Sequence, residues 1–188
     1  SNAMNSYANM LKDGDGIPMN KKKAVYYYKM AIEKGNSDAM NNYALMLYVD
    51  EEIQIDNVKA AHYFKMAADK GNCDAMINYA NMLYNGDEIP VNKEESAHYF
   101  KMAADKGDHH AMNKYANMLY KGDGIPIKKL EAAKYYKMAA DEGNIDAMYS
   151  IAYMYYFGEN ISVNMKEAAH YFKKAADKGN ADAMFYYS

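Results

Sequence analysis

AADKGNCDAM at residues 67–76 decides the fold, because it keeps returning. It stands as AIEKGNSDAM at 31–40, AADKGDHHAM at 103–112, AADEGNIDAM at 139–148 and AADKGNADAM at 175–184. Its glycine falls at Gly35, Gly71, Gly107, Gly143 and Gly179, a period of 36 residues with no insertion or deletion. A fixed period in this range means one small unit stacked on copies of itself. Each copy touches mainly its neighbours, so the chain reads as an array and functional surfaces become columns of equivalent residues.

Outward from that glycine, each unit reads as two helices. In DAMINYANMLY (74–84) the positions Ala75, Tyr79, Ala80, Met82 and Leu83 fall mainly on one helical face. Asp74 is expected to cap that helix. NGDEIP (85–90) then breaks it, with Gly86 as a left-handed C-terminal cap and Pro90 unable to continue; GDGIP repeats the loop at 14–18 and 122–126. A second helix starts near Asn92, where Glu95 three residues later suggests a capping box, repeated by Asn164 with Glu167. Lys128 breaks that pattern. Ala97, Phe100, Ala103 and Ala104 form the buried stripe, and Gly107 ends the helix.

The expected A helices span roughly 4–12, 38–48, 74–84, 110–120 and 146–157, and the B helices roughly 20–34, 56–70, 92–106, 128–142 and 164–178. Two alanine columns should set close helix contacts: Ala8, Ala44, Ala80, Ala116 and Ala152, and Ala31, Ala67, Ala103, Ala139 and Ala175. Ser1 to Ala3 resemble a tag-cleavage scar and are set apart from the fold. Residues 4–188 read as a single repeat domain, with units at about 4–35, 38–71, 74–107, 110–143 and 146–179 and a partial one at 182–188. This suggests a piece of a longer array, whose cut ends would associate end to end.

Composition narrows the function. Lys plus Arg is 22 and Asp plus Glu is 25, a formal net charge of -3, which is no footprint for nucleic acid. Every cation is a lysine, so bidentate guanidinium recognition is absent. The single Cys73 excludes an internal disulfide framework. No apolar run approaches the roughly 18 residues of a membrane span. With no signal segment in view, a cytoplasmic location is favoured.

The GDGIP-type loop, the lysine-rich start after it and the stretch AAKYYKMAADEGNIDAM (132–148) resemble the Sel-one-like repeat family, relatives of tetratricopeptide repeats. The resemblance covers essentially the whole chain. It departs at Tyr79-Ala80, where the family has Leu-Gly, at Asp50, where other units have glycine, and at Gln54, where others have proline. The cysteine-rich bacterial members are not matched. The resemblance implies an all-α fold: an α/α superhelix, a right-handed solenoid of 36-residue helix-turn-helix repeats with helix A on the concave side. It further implies an adaptor or scaffold in protein complexes.

A partner, protein or peptide, would then lie along the exposed face of the A helices. Its columns are Asn5, Asn41, Ile77, Asn113 and Tyr149; Ser6, Asn42, Asn78, Lys114 and Ser150; and Asn9, Leu45, Asn81, Asn117 and Tyr153. An amide carries both a donor and an acceptor and can pair with an extended peptide backbone. The candidate binding residues are Asn41, Asn42, Asn78, Asn81, Asn113, Lys114, Asn117, Tyr149 and Tyr153, of which Lys114, Tyr149 and Tyr153 cluster in units four and five. The competing reading of the ladder is a solvated face in an asparagine-rich chain. Tyr48, Tyr84, Tyr120 and Tyr156 read as packing between helices.

No catalytic constellation stands in the chain, and the expectation is a non-enzyme without cofactor or metal. His62, His98 and His170 share a column with Lys134 and lie one repeat or more apart, too far to share a metal, and His109 with His110 lacks partners. Asp13, Asp15 and Gly16 resemble the start of a calcium loop that is not completed. The seventeen methionines mostly recur at fixed positions and read as core filling. The alternative to a binding scaffold is a structural spacer for a catalytic or membrane domain elsewhere.

Overall fold

The computed structural model describes residues 1–187, which form helices joined by short loops with no strand among them. The helices are α1 (Asn2–Asp13), α2 (Lys21–Glu33), α3 (Ser37–Val49), α4 (Asn57–Asp69), α5 (Cys73–Asn85), α6 (Lys93–Asp105), α7 (His109–Lys121), α8 (Lys129–Asp141), α9 (Ile145–Phe157), α10 (Met165–Asp177) and α11 (Ala181–Tyr187). Odd numbers are the A helices and even numbers the B helices, which makes this an α/α solenoid fold. The helices group into two compact units, one ending at Asn92 and one beginning at Lys93. Within each, a helix packs chiefly on its sequence neighbours.

Both alanine columns are fully buried, from Ala8 to Ala152 and from Ala31 to Ala175. Small side chains there let neighbouring axes approach closely, and Tyr28, Phe64, Phe100, Tyr136 and Phe172 fill the space beside them. Helices of 13 residues are marginal alone, so this shared burial is what holds them. Helix α1 starts at Asn2, so the residues set apart in the sequence reading continue the helix. Ser1 O accepts from the amides of Met4 and Asn5, and Asn36 Nδ2 donates to Asn2 Oδ1 at 2.9 Å.

The junction between units differs from the expected one. Asp74 lies inside the first turn of α5, and the cap is Asn72, whose Oδ1 accepts from Ala75 N at 2.8 Å. The same residue closes the preceding helix. Asn72 N donates to Ala67 O (3.1 Å) and Gly71 N to Ala68 O (2.8 Å), the paired bonds of a Schellman motif. Asn36, Asp108, Asn144 and Asn180 repeat both halves. The invariant spacing of the glycine follows, because this geometry needs positive φ and Gly71 sits at +90°. One residue therefore serves two helices.

Asn144, like Asn36 and Asn72, also ties back to the preceding repeat through its Nδ2. Its Oδ1 accepts from Ala147 N at 2.9 Å, its Nδ2 donates to His109 O at 3.3 Å, and it is buried. Asn144→Ala is expected to lose about 1–2 kcal/mol. Asn144→Asp should keep the cap but lose the donor to His109 and recover only part of the stability. Urea unfolding midpoints of the two variants check this ranking.

The loops from A to B follow the glycine signal where glycine is present: Gly14, Gly86, Gly122 and Gly158 are left-handed C-caps. The apolar residue five positions on lies over the cap, as Val91 does at Gly86, Ile127 at Gly122 and Val163 at Gly158. Where Asp50 replaces glycine, α3 ends in extended backbone and a short 3-10 helix, Glu51–Ile53, follows. Gln54 then stands at φ +59°, which a proline ring forbids, so its departure from the proline of other loops belongs to the altered turn. Asn164 accepts from Glu167 N at 3.2 Å as the first half of a capping box, whereas Lys128 makes no side-chain cap bond.

Candidate partner-binding surface

The asparagine ladder is largely engaged with itself in the first unit. Asn42 Nδ2 donates to Asn5 Oδ1 (3.2 Å) and Asn9 Oδ1 (3.1 Å), tying α3 to α1. Asn78 Nδ2 donates to the buried Asn41 Oδ1 at 3.2 Å, tying α5 to α3. Asn9 also accepts from the buried Tyr28 hydroxyl at 2.6 Å. These bonds use the donors and acceptors that a bound backbone would need. Asn81 is half-buried on α5.

In the second unit the same columns open into a pocket. Asn113 is buried, and its Oδ1 has no hydrogen-bond partner. One turn on, Asn117 Oδ1 accepts from the Tyr136 hydroxyl at 2.8 Å. Burial pushes the Tyr136 hydroxyl far above the ordinary tyrosine range, with Tyr120 adding to it and a hydrogen bond with Ser150 opposing. Beside Asn117 and Tyr136 lies a cavity of about 330 Å³, lined by Asn117, Tyr120 and Lys121 from α7, Tyr136 from α8, and Tyr149, Ser150, Tyr153 and Met154 from α9. The helical period places 117, 120 and 121 on one face of α7, and 149, 150 and 153 on one face of α9.

The pocket wall is braced from behind. The rings of Tyr149 and Tyr153 stand 6.3 Å apart at 44°, Tyr149 packs 5.9 Å from the buried Phe172 ring, and Tyr153 lies 4.4 Å from Phe157. Ser150 Oγ donates to Asp146 O at 2.9 Å. Tyr120 donates a short hydrogen bond to Glu159, whose carboxylate also receives Lys129 Nζ at 3.1 Å. Burial first and Glu159 second push the Tyr120 hydroxyl up to about 12. An apolar and aromatic wall with a few fixed polar groups suits a protein side chain.

Tyr120 and Glu159 belong to a recurring latch between successive repeats. Tyr48 donates to Asp87 at 2.8 Å, 39 residues on, as Tyr120 does to Glu159. Lys93 holds Asp123 at 2.6 Å and Lys129 holds Glu159, each 30 residues on, and Lys21 holds Asp50 at 3.0 Å. Asp87, Asp123 and Glu159, the loop acids equivalent to Asp15, are thus taken up by lysine and tyrosine of the preceding repeat, while Asp13 pairs with Lys12 of its own.

Tyr120 and then Lys129 hold the Glu159 carboxyl below the usual glutamate range. A depressed folded-state pKa gives stability that is present above the unfolded value, about 4.3 for glutamate, and lost as pH falls from there through the folded one. Glu159→Gln should therefore be less stable than wild type at pH 7, and that gap should narrow as pH falls below the ordinary glutamate range. Thermal midpoints across that range measure it.

The structure brings Asn117, Tyr149 and Tyr153 of the sequence candidates into one pocket and leaves Lys114 exposed on α7, less than one turn before Asn117. Asn41, Asn42 and Asn78 lie in the other unit, and Asn113 is covered. Tyr136 and Lys121 were not among the candidates, though the spacing from Asn117 could have found Lys121. His62, His98 and His170 are exposed, Cys73 is half-buried, and no group of three potential metal ligands occurs among the described residues. No helix among them is long and apolar enough to cross a membrane.

Comparison with known proteins agrees with the repeat fold. The family model described as Sel1 repeat matches residues 1–36, 37–72, 73–108, 109–144 and 145–180. In structure the chain is similar to a protective antigen of uropathogenic Escherichia coli strains displaying an SLR fold, with a TM-score of 0.87 and 24% identity over 98% of this chain. The match covers 40% of that antigen, so the chain spans less than half of its length. A Sel1 repeat protein from Oxalobacter formigenes gives a TM-score of 0.82 and 26% identity, covering 96% of this chain and 74% of that one. An immunity protein from Pseudomonas aeruginosa gives 0.53 and 24%, covering 98% and 67%. No curated protein matches the chain in sequence. Sel1 repeats are a protein–protein interaction scaffold type, and their solenoids are generally non-catalytic. Five contiguous matches, each closed by the same glycine-asparagine or glycine-aspartate junction, leave one conclusion: the chain belongs to the Sel1 repeat family.

Proposed function

We propose that this chain is a non-enzymatic binding module whose partner, an extended segment of another protein, seats on the A-helix face of the second unit. The observation that carries the reading is the tyrosine-lined pocket between α7 and α9, where three of the sequence candidates meet. Tyrosine is favoured at binding hot spots because it offers a large stiff ring and a polar tip. The first unit contributes less, since its asparagines are paired with one another. The alternative role as a spacer between other domains predicts no selective partner at all.

The test is capture of partners from a lysate of the native host with wild type beside Ser150→Phe, which fills the pocket from a half-buried position. Circular dichroism first establishes that the variant is folded. A partner retained by wild type and lost by Ser150→Phe supports the reading. Partners that bind both equally overturn it.

A further inference from the structure

Lys114 and Lys121 stand two turns apart on α7, both exposed, and neither makes an ion pair or hydrogen bond among the described residues. Several other lysines of this unit are held by carboxylates: Lys93 by Asp123, Lys101 by Asp105, Lys129 by Glu159, Lys137 by Asp141 and Lys173 by Asp177. Lys106 and Lys134 are exposed as well, but they lie outside the pocket lining. Lys121 lies in the last turn of α7, where the helix dipole favours a cation. Lys114, in mid-helix, has no such reason to be basic. Lys121 lines the pocket and Lys114 stands just above Asn117. The exposed carboxylate on the facing helix, Asp146, pairs with neither.

We propose that the pocket takes an aromatic side chain from an acidic segment of a partner protein, with carboxylates on either side of that ring reaching Lys114 and Lys121. This deepens the binding-surface reading and rests on it. The cavity, about 330 Å³, is at the small end of ligand sites, the size of a side chain and not of a folded element. Tyr149 and Tyr153, tilted at 44° to each other, offer ring faces and edges to an incoming ring, which prefers offset or edge-to-face contact. Seven residues of α-helix separate the two ammonium groups by about 10.5 Å at their Cα atoms. An extended chain rises about 3.3 Å per residue, so the two carboxylates fall about three residues apart with the ring between them. An ammonium group acts as a point charge on a flexible stem, so this pairing tolerates variation in exact spacing.

The test is selection from a displayed library of random dodecapeptides on the immobilised chain, followed by anisotropy titration of the recovered peptides. Three variants accompany the wild type, each verified folded by circular dichroism. They are Lys114→Glu with Lys121→Glu, Tyr153→Ser, and a charge-matched control, Lys106→Glu with Lys134→Glu, exposed just past the end of α6 and on α8. The expected peptides carry an aromatic residue between acidic ones. Their affinity should fall by roughly tenfold or more in the Lys114/Lys121 variant, hold in the control, and weaken with salt. Peptides that are neutral or basic, yet lost in Tyr153→Ser, would overturn the acidic assignment and leave the pocket reading intact. Peptides that bind Tyr153→Ser as well as wild type, or no selected peptide at all, would overturn both.

Discussion

Gly124→Ala should unfold the second unit at a distinctly lower urea concentration, with a loss of about 2–4 kcal/mol. Two penalties combine there. Gly124 sits at φ +78°, where a β-carbon is strained. The added methyl would also stand 2.2 Å from Lys93 Cβ, 3.0 Å from Lys93 C and 3.2 Å from its Cα. The neighbour is the first turn of α6, whose backbone cannot swing aside as a side-chain tip can. Gly16 is the control, because it has φ +69° with nothing within 4 Å of a built β-carbon. Gly16→Ala should cost only about 1 kcal/mol. Equal losses in the two variants would show that the contact with Lys93 is not tight. The Lys93–Asp123 ion pair would be strained by the same displacement, so its contribution should vanish in the Gly124 variant.

Phe172→Ala should be the most damaging single change near the pocket, at about 3–5 kcal/mol. Phe172 is almost completely buried on α10. Its ring stacks on Tyr186 at 4.9 Å and 7° between planes, and touches Tyr149 at 5.9 Å and Tyr156 at 6.2 Å. Removing it leaves a void behind the pocket wall, so Tyr149 loses its backing as well as the unit its stability. Phe172→Leu refills much of the volume and should recover more than half of the loss. Calorimetric midpoints of the pair measure the stability. Any partner affinity that falls further than stability explains would show that Tyr149 is held in place by this ring. A Phe172→Ala variant as stable as wild type would mean that the cluster collapses freely around the gap.

The period of 36 made the fold legible from residues alone, because every unit repeats the same alanines, the same aromatic position and the same glycine. The helices of each pair begin and end within about two residues of the expected positions. The junction was misread by two residues. Asp74 and Asn72 are both good capping residues, and only the six-to-one bond back to Ala67 decides between them. That bond depends on the backbone angle at Gly71, which a list of cap preferences does not contain. The candidate surface was legible in its columns and not in its occupancy. A column shows which residues are equivalent, but not that Asn42 bridges to Asn5 and Asn9 while Asn117 serves a buried tyrosine. The difference comes from what stands opposite. Phe100 offers Asn81 no hydroxyl where Tyr28 and Tyr136 offer theirs to Asn9 and Asn117, so equivalent asparagines are left with unequal duties.

The junction residue that ends one helix and begins the next has a consequence for how such a gene can change length. There is no slack between units, since the N–H of Asn72 answers to α4 and its side chain to α5. One extra codon at that point would misplace a cap and a Schellman bond together. A duplication or deletion of 36 codons, cut at any phase, restores both at the new joint. Such a gene can therefore lengthen or shorten in whole steps with little penalty, while small insertions survive only in the loop between the two helices of a pair. The turn around Asp50 and Gln54, with its own 3-10 helix and its own backbone angles, shows that this loop is where the array accepts local variation.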